Sequence, residues 1–313
     1  MTPLIVRLDK TVKGGELLKS RTCNLACIWC HGDFFEHKVG EKAIDNAKLV
    51  SLVKKVSLAS ERPDVEIKVT GQGEPCLSGK EELCDLIKRL KKIPKVRLIK
   101  LVTNGVLLDK MVRSLKDAGL DGLTVSLHSL RPDRYEKITG KNLLSKALRG
   151  VDAAVDAELP LKLNVIYCKI NSDEVWDYVK LAEEKNINLK FFNLLPITPL
   201  AKELYLPIDN LLQELNKELK NKFCQRSYYF YEYSSVKNQN ITIRVKASQL
   251  NNCPNTGCRF RNKCLEGCRS SIRIGQDGVL HPCGVRIDNT LSLLKWNTTI
   301  KKIKETLRSG GKD

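Results

Sequence analysis

The stretch Cys23-Asn24-Leu25-Ala26-Cys27-Ile28-Trp29-Cys30 places three thiols within eight residues, and the fold prediction starts from it. Four cysteine ligands would saturate a cubane cluster, whereas three leave one iron open. An open iron can chelate the amino and carboxylate groups of a small molecule, as radical chemistry requires. The pattern therefore predicts a [4Fe–4S] cluster on Cys23, Cys27 and Cys30. The alternative is a zinc site completed by His31 or His37.

Outward from this stretch, apolar segments rich in β-branched residues alternate with segments of helical periodicity. Six such strands are predicted: Glu16–Thr22, Val65–Gly71, Val96–Asn104, Gly122–Ser129, Leu161–Cys168 and Ile187–Leu195. The first of them ends directly before Cys23. Six β-α units are too few for a closed eight-fold barrel, so we predict an α/β fold with a partial (β/α)6 TIM-type barrel. Chemistry in such folds gathers at the C-terminal ends of the strands.

The alternation breaks at Pro196 and Pro199, and a second unit follows. Its predicted elements are a helix over Ile208–Leu219, strands over Ser227–Tyr233 and Ile241–Val245, and a hairpin turn at Asp277-Gly278. We accordingly expect two domains. Residues 1–200 form the barrel, and residues 201–313 form a C-terminal auxiliary cluster domain.

The chain has 12 cysteines among 313 residues, which is unusual for a protein without disulfides. No apolar segment precedes Cys23 as a leader would, and no apolar run is long enough to span a bilayer. We therefore expect a soluble, cytoplasmic protein with no membrane partner, where clustered cysteines indicate metal or redox chemistry. A second group of cysteines lies in the C-terminal unit: Cys253, Cys258, Cys264, Cys268 and Cys283.

The charge of the chain is strongly basic, because 54 Lys and Arg residues face 36 Asp and Glu residues and leave a net charge of +18. Such a surface attracts anions, which favours phosphorylated small molecules or nucleic acid as ligands. A solvated, lysine-rich surface without a specific ligand explains the same composition equally well.

The spacing C-x3-C-x2-C, with Trp29 before the last cysteine, resembles that of the radical SAM superfamily. Thr70-Gly-Gln-Gly-Glu74-Pro75 is similar to the superfamily's Gly-Gly-Glu-Pro motif, and Thr103-Asn104-Gly105 and Val125–Ser129 end the next two strands. This resemblance implies an enzyme that binds S-adenosylmethionine (SAM). The residues it assigns to SAM are Trp29, Gly73, Glu74, Thr103, Asn104 and Ser126.

Nearly the whole chain, Leu123–Gly140 and Leu161–Val165 in particular, resembles the GTP 3′,8-cyclases of molybdenum cofactor biosynthesis. The resemblance implies a lyase that joins the ribose C3′ of GTP to C8 of guanine, and an electron donor such as flavodoxin or ferredoxin. It implies a second [4Fe–4S] cluster on Cys264, Cys268 and Cys283, with Cys253 and Cys258 as further candidate ligands. A homodimer is left open.

The same resemblance implies a basic set that grips the GTP triphosphate: Arg21, Lys68, Lys162 and Lys190. Arg269 and Arg273 resemble the family's paired arginines, whose planar groups suit phosphate or base edges. Lys162 and Asn164 share one face of a strand by period-two alternation. The sequence departs from the family at Glu66, where a basic residue is expected, in the spacing of the later cysteines, and after Gly310-Gly311, where two further residues follow.

Two other functions fit the sequence. A peptide- or RNA-modifying radical SAM enzyme with an auxiliary cluster would use the same first motif, and Cys253 and Cys258 resemble its additional ligands. A zinc and nucleic-acid-binding protein without enzymatic activity would use the basic charge and the aromatic run Tyr228–Tyr231.

Overall fold

One twelve-stranded mixed sheet organises the part of the chain that the computed structural model describes. The described residues are 3–10, 23–30, 44–71, 73–196, 198–215, 219–225, 228–234, 238, 240–247, 271–282, 290–295 and 297–309. The strands are β1 (Leu4–Asp9), β2 (Val65–Thr70), β3 (Val96–Thr103), β4 (Gly122–Ser126), β5 (Leu161–Tyr167), β6 (Asn188–Asn193), β7 (Leu219–Gln225), β8 (Tyr228–Ser234), β9 (Thr242–Ala247), β10 (Ile272–Ile274), β11 (Val279–His281) and β12 (Leu291–Ser292).

Helices follow most of the parallel strands. They are α1 (Asn46–Ala59), α2 (Lys80–Lys91), α3 (Val112–Asp117), α4 (Pro132–Thr139), α5 (Leu144–Asp156), α6 (Val175–Lys185), α7 (Pro199–Leu204), α8 (Ile208–Glu214) and α9 (Ile300–Ser309). Short 3₁₀ turns lie at Pro75–Ser78, Leu108–Lys110 and Ser172–Glu174. None of these helices is long and apolar enough to cross a bilayer.

The strand order is β12-β11-β10-β1-β2-β3-β4-β5-β6-β9-β8-β7, so the sheet is open at both edges. Strands β1 to β6 pair in parallel and in chain order, which is the predicted partial barrel. Strand β10 adds to β1 and β9 adds to β6, also in parallel, so C-terminal strands flank the barrel on both sides. The division into two domains stays a prediction.

Period-two alternation separates the two faces of the barrel strands. On β5, Leu161, Leu163 and Val165 are buried in the main apolar cluster, whereas Lys162 and Asn164 point to the other face. The helices add apolar side chains to the same cluster, for example Leu49 and Leu52 of α1. Each such side chain stabilises the fold by about 1.5–3 kcal/mol when fully buried. Polar residues such as Lys162 and Asn164 lie on the face of the strands opposite the helices.

The start of the sheet differs from the sequence interpretation. The predicted first strand, Glu16–Thr22, lies outside the described residues, and the strand that pairs with β2 is β1, Leu4–Asp9, which the sequence interpretation missed. Apolar and polar residues alternate along β1, which could have identified it as a strand. Val6 and Leu8 are fully buried, while Arg7 and Asp9 face the other side. The cysteine stretch is therefore separated from β1 by residues 10–22.

The C-terminal elements follow the predictions with one correction. The hairpin at Asp277-Gly278 is present between β10 and β11, and Gly278 adopts a φ of +72°, which favours glycine. The helix predicted over Ile208–Leu219 is wrong at its end, because α8 stops at Glu214. Leu219 instead opens β7, which pairs antiparallel with β8. Pairing with a neighbouring strand overrides the local helical periodicity there.

Candidate functional site

The stretch Cys23–Cys30 rests on the C-terminal end of α4. The backbone N–H groups of Ala26 and Ile28 donate hydrogen bonds to the carbonyl oxygens of Thr139 (2.7 Å) and Ile138 (3.0 Å). These bonds satisfy carbonyls that the end of a helix leaves without partners. Gly140 follows at φ +68°, and a Cβ added there would lie 3.1 Å from the Ala26 Cβ. A glycine therefore lets the stretch approach the helix closely.

The three cysteines of this stretch are free thiols of intermediate exposure. The Sγ of Cys23 accepts a hydrogen bond from the Leu25 N–H at 3.4 Å and lies 3.9 Å from the Asn104 Nδ2. Burial raises the pKa of the Cys23 thiol, and the neighbouring Glu74 and Cys30 contribute to the rise against the lowering effect of the Leu25 hydrogen bond. The free thiol is therefore protonated at neutral pH, and binding a metal displaces its proton.

Trp29 holds the stretch in place through its ring. The indole is buried and meets the ring of His128 edge-on, with 5.7 Å between ring centroids. Ile138 and Cys168 belong to the same small apolar cluster. Burial lowers the pKa of His128 to about 4, so this histidine is neutral at pH 7, and its Nδ1 accepts a hydrogen bond from the Ile166 N–H. The role of Trp29 toward SAM stays a prediction.

Glu74 joins the ends of β2 and β3. Its carboxylate is buried and accepts three hydrogen bonds: from the Cys76 N–H (3.0 Å), from the Thr103 hydroxyl (2.6 Å) and from the Asn104 N–H (2.7 Å). Asn104 in turn donates from Nδ2 to the Asn24 Oδ1 at 2.7 Å. One hydrogen-bonded network therefore connects three of the residues assigned to SAM with the cysteine stretch.

The remaining residues assigned to SAM lie at the same edge of the sheet. Gly73 lies within the turn that follows β2, and Ser126 ends β4 opposite Asn164 on β5. Gly71 opens this turn where space is short, because a Cβ there would lie 2.9 Å from the Lys10 carbonyl oxygen. The C-terminal ends of β2, β3 and β4 thus bring these predicted positions to one side of the barrel.

A basic cavity of about 250 Å³ lies on the inner face of the barrel strands. Its cationic lining residues come from β1, β2, β5, β6 and β9, and they are Arg7, Lys68, Lys162, Lys190 and Lys246. Its other lining residues include Thr124, Asn164 and Phe192. Among the residues that the structure describes, no Asp or Glu lines this cavity. The arrangement suits a ligand with several negative charges.

Crowding of these cations changes their protonation. Burial, with Lys68 and Lys100 nearby, lowers the pKa of Lys162 to about 8. Burial, with Lys162 and Lys246 nearby, lowers the pKa of Lys190 well below its usual value, and the Lys190 Nζ lies 5.1 Å from the centre of the Phe192 ring. Neither lysine has a carboxylate partner among the described residues. An anionic ligand would supply the missing negative charge.

Glu66 on β2 neutralises part of the positive charge that the lysines near the cavity carry. Its Oε1 is 3.4 Å from the Lys68 Nζ and 3.3 Å from the Lys100 Nζ. The pKa of the Glu66 carboxyl is lowered because the two lysines outweigh the opposing effect of its burial. Glu66 therefore engages Lys68, one of the residues assigned to the triphosphate.

The structure separates the basic residues assigned to the substrate. Lys68, Lys162 and Lys190 share the cavity, as alternation along their strands requires. Arg273 does not line it in the described structure, because its Nε points to the Asp9 Oδ1 at 3.6 Å. The sequence interpretation missed Arg7 and Lys246, although the alternation of Arg7 with Val6 and Leu8 could have identified the former.

Several predicted positions lie outside the described residues. They are Arg21, His31, His37, Cys253, Cys258, Cys264, Cys268, Arg269, Cys283 and Gly310-Gly311. The roles assigned to them stay predictions.

The donor set of the cysteine stretch has the chemistry that a cubane cluster requires. Among the described side chains, no three His, Cys, Asp or Glu residues converge as ligands of one metal ion would. Each cysteine of a cubane binds a different iron, so the three sulfurs need not converge on one point. Cys23, Cys27 and Cys30 meet the requirement for separate sulfur ligands on one anchored stretch.

Comparison with known proteins gives consistent results. The profile of the Radical SAM superfamily matches residues 17–182. The chain is 30% identical over 275 residues to a GTP 3′,8-cyclase of Listeria monocytogenes serotype 4b, covering 83% of this chain and 76% of that protein. It is 29% identical to a probable GTP 3′,8-cyclase of Sulfolobus acidocaldarius, covering 96% of this chain and 92% of that protein.

The fold resembles that of a solved structure, native anSMEcpe with bound AdoMet and Kp18Cys peptide. The TM-score is 0.66 at 17% sequence identity, and the match covers 99% of this chain and 83% of that one. At this level of identity the likeness extends to the fold alone.

Proposed function

The chain belongs to the radical SAM superfamily, and we propose that this enzyme acts on GTP, closing a bond between the ribose C3′ and C8 of guanine. The observation that carries the proposal is the basic cavity inside the barrel, with five cationic side chains and no described acidic one in its lining. GTP 3′,8-cyclases are also the relatives that the chain matches over most of its length. The product would be a precursor of molybdopterin, and the enzyme a lyase.

The superfamily uses SAM with a [4Fe–4S] cluster, and Cys23, Cys27 and Cys30 are the residues that we expect to hold this cluster. When bound, the cluster supplies the electron that cleaves SAM to a 5′-deoxyadenosyl radical, which removes a hydrogen atom from the substrate. The buried Trp29 and the backbone bonds to α4 fix the stretch, so the three sulfurs keep their relative positions.

The network around Glu74 has a positioning role in this proposal. Its carboxylate already accepts three hydrogen bonds from the protein, and these bonds set the conformation of the turn after β2 and of Asn104. We expect the backbone of residues 71–74 and the side chain of Asn104 to contact SAM. The carboxylate holds both groups ready and so reduces the entropy lost on binding.

The cavity cations would bind the triphosphate. Lys162 and Lys190 have no carboxylate partner among the described residues, and Arg7 brings a guanidinium from β1 to the same space. Planar guanidinium groups suit two-point contacts with phosphate oxygens, whereas lysines act as point charges. A substrate bound by its phosphates inside the barrel is shielded from water, which protects a reactive radical.

A second [4Fe–4S] cluster on Cys264, Cys268 and Cys283, with Cys253 or Cys258 as a further ligand, belongs to the proposal. A fourth thiolate would close that cluster, and an open iron would allow it to contact the purine. An electron donor such as flavodoxin or ferredoxin and the cytoplasm as location remain predictions, and so does a homodimer.

The test is an anaerobic assay of the reconstituted enzyme with SAM, a reductant and GTP. We expect 5′-deoxyadenosine to form faster with GTP than with ATP or without nucleotide, and a cyclised guanine nucleotide to appear in equal amount. Deuterium at the ribose C3′ should be recovered in the 5′-deoxyadenosine.

Deoxyadenosine formation without GTP dependence would overturn the substrate assignment. A peptide- or RNA-modifying enzyme is then the alternative, and peptides and RNA are the next substrates to test. Membership in an enzyme superfamily argues against a zinc and nucleic-acid-binding protein without catalysis.

A further inference from the structure

Tyr135 carries a buried hydroxyl that no residue described in the structure uses as a hydrogen-bond partner. The side chain is 1% exposed and packs in the main apolar cluster. Its hydroxyl makes no hydrogen bond to any residue that the structure describes. Burying a hydroxyl without a partner costs free energy, and phenylalanine would fill nearly the same volume without that cost. A buried hydroxyl without a hydrogen-bond partner indicates a partner outside the protein chain, such as a bound ligand.

The position of Tyr135 identifies that ligand. Tyr135 precedes Ile138 and Thr139 by one turn of α4, and the carbonyl oxygens of these two residues hold the cysteine stretch. Residues three and four apart lie on the same face of a helix. Negative charges on Cys27, Cys23 and Glu74 act electrostatically on the Tyr135 hydroxyl, with Cys27 the strongest of the three.

The surroundings keep this hydroxyl protonated. Burial raises the pKa of Tyr135, and the negative charges that Cys27, Cys23 and Glu74 carry when ionised raise it further. The group is therefore a hydrogen-bond donor at neutral pH. Its matched counterpart is Tyr178, which is equally buried but donates its hydroxyl to the Leu127 carbonyl oxygen at 2.9 Å.

We propose that the Tyr135 hydroxyl donates a hydrogen bond to a sulfur of the cluster held by Cys23, Cys27 and Cys30 and thereby raises the cluster's reduction potential. Hydrogen bonds to the sulfurs are one of the means by which a protein sets this potential, because they stabilise the additional negative charge of the reduced cluster. Tyr135 acts on the cluster as a positioning and tuning residue and does not contact the reacting atoms of the substrate. The inference rests on the proposed cluster site.

The experiment compares the parent enzyme with the variants Tyr135→Phe and Tyr178→Phe, each reconstituted anaerobically. Iron and sulfide content establishes first that the cluster is present. The midpoint potential of the cluster is then measured by a redox titration that is followed by electron paramagnetic resonance. We expect Tyr135→Phe to lower the ratio of reduced to oxidised cluster at a given potential by about tenfold, which is 59 mV for a one-electron couple. Tyr178→Phe should leave the potential unchanged.

The stability of the cluster-free proteins provides the second measurement. Because no described residue bonds to the Tyr135 hydroxyl, Tyr135→Phe should unfold at the same urea concentration as the parent or a higher one. Tyr178→Phe should unfold at a lower concentration, because it leaves the Leu127 carbonyl without its partner. A cluster-free Tyr135→Phe protein that is less stable, or does not fold, would show that the hydroxyl has a partner in the chain and overturn the proposal.

The outcomes separate this inference from the proposed function. A parent enzyme that binds no iron at Cys23, Cys27 and Cys30 contradicts the proposed function itself. A parent and a Tyr135→Phe variant with equal iron content and equal potentials contradict only the role of the hydroxyl. An equal decrease in potential for both tyrosine variants would also contradict it, because the effect would then be a general consequence of altered packing.

Discussion

The Glu74 Oε2 accepts a hydrogen bond of 2.7 Å from the backbone N–H of Asn104, thirty residues later in the chain. This bond joins the turn after β2 to the turn after β3 in the buried part of the site. We predict that Glu74→Ala destabilises the cluster-free protein by on the order of 3 kcal/mol, because it leaves three buried donors without an acceptor. Urea unfolding measures this change.

The variant Glu74→Gln tests the hydrogen bonds of the Glu74 carboxylate with a smaller change in the side chain. The amide keeps one acceptor oxygen but presents an N–H₂ group to one of the donors, so we expect an intermediate loss of stability and weaker SAM binding. Equilibrium binding of SAM to the reconstituted protein provides the second measurement. Glu81→Gln, a change on the exposed first turn of α2, is the matched control and should have no effect. Unchanged SAM affinity in Glu74→Gln would contradict the positioning role.

Cys27→Ala should abolish reductive cleavage of SAM and reduce the iron that the first site retains, because a cubane with two protein ligands is poorly held. Cys84→Ala is the control, since the half-buried Cys84 thiol bonds to the Ser114 carbonyl oxygen on α3, among the helices on the opposite face from the cavity. Iron content and 5′-deoxyadenosine formation are the measurements. A Cys27→Ala enzyme that still cleaves SAM at the parent rate would falsify the proposed cluster site.

Binding of GTP should weaken as the pH rises from 7 to 9. The pKa of Lys162 is lowered to about 8, so the free protein holds this lysine partly uncharged in this range, and burial among other cations also lowers the pKa of Lys190. A bound triphosphate stabilises the protonated form of Lys162, so binding takes up protons and the affinity falls by up to about tenfold per pH unit. Calorimetry in buffers of different ionisation enthalpy counts these protons.

Lys162→Met serves as the comparison for this pH dependence. The variant should bind GTP more weakly at pH 7 and take up fewer protons at pH 8.5 than the parent. An identical proton count in parent and variant would mean that Lys162 does not pair with the ligand.

Glu66→Gln should strengthen the binding of GTP by about 1 kcal/mol, or roughly fivefold, because it releases Lys68 and Lys100 from their shared carboxylate. Glu61→Gln makes the same change in net charge at an exposed ion pair with Lys304 and should leave the affinity unchanged. Weaker binding in Glu66→Gln would show instead that Glu66 holds Lys68 in its working position.

Asp9 should make the stability of the protein depend on pH between about 4 and 6. Burial raises its pKa from 3.8 to about 6 despite the opposing charges of Arg273 and Arg7. A carboxyl with a raised pKa in the folded state contributes stability below the unfolded pKa and loses it as the pH rises through the folded value. The loss amounts to about 3 kcal/mol. Asp9→Asn has no carboxyl to ionise and so does not lose this contribution. Relative to the parent, the unfolding free energy of the variant should therefore be higher at pH 7 than at pH 4.

Local patterns were sufficient wherever one residue type repeats along one element. The alternation on β5 correctly assigned Lys162 and Asn164 to one face, and Asp277-Gly278 correctly marked the hairpin. The prediction at the start of the sheet failed because Arg7 and Asp9 resemble surface residues until the neighbouring strands enclose them. For Arg273 the sequence could not show that Asp9, more than two hundred residues earlier, lies opposite its guanidinium.

By itself the sequence established the superfamily, the parallel β-α core and the three thiols, because these depend on the order and spacing of neighbouring residues. Tertiary structure alone decided which charges from distant segments face one another: Glu66 against Lys100, Asp9 against Arg273, and Lys190 in a cavity of other cations. The physical reason is that the protonation and the partner of a buried group depend on its desolvation and on charges from distant strands, and both arise only when the sheet assembles.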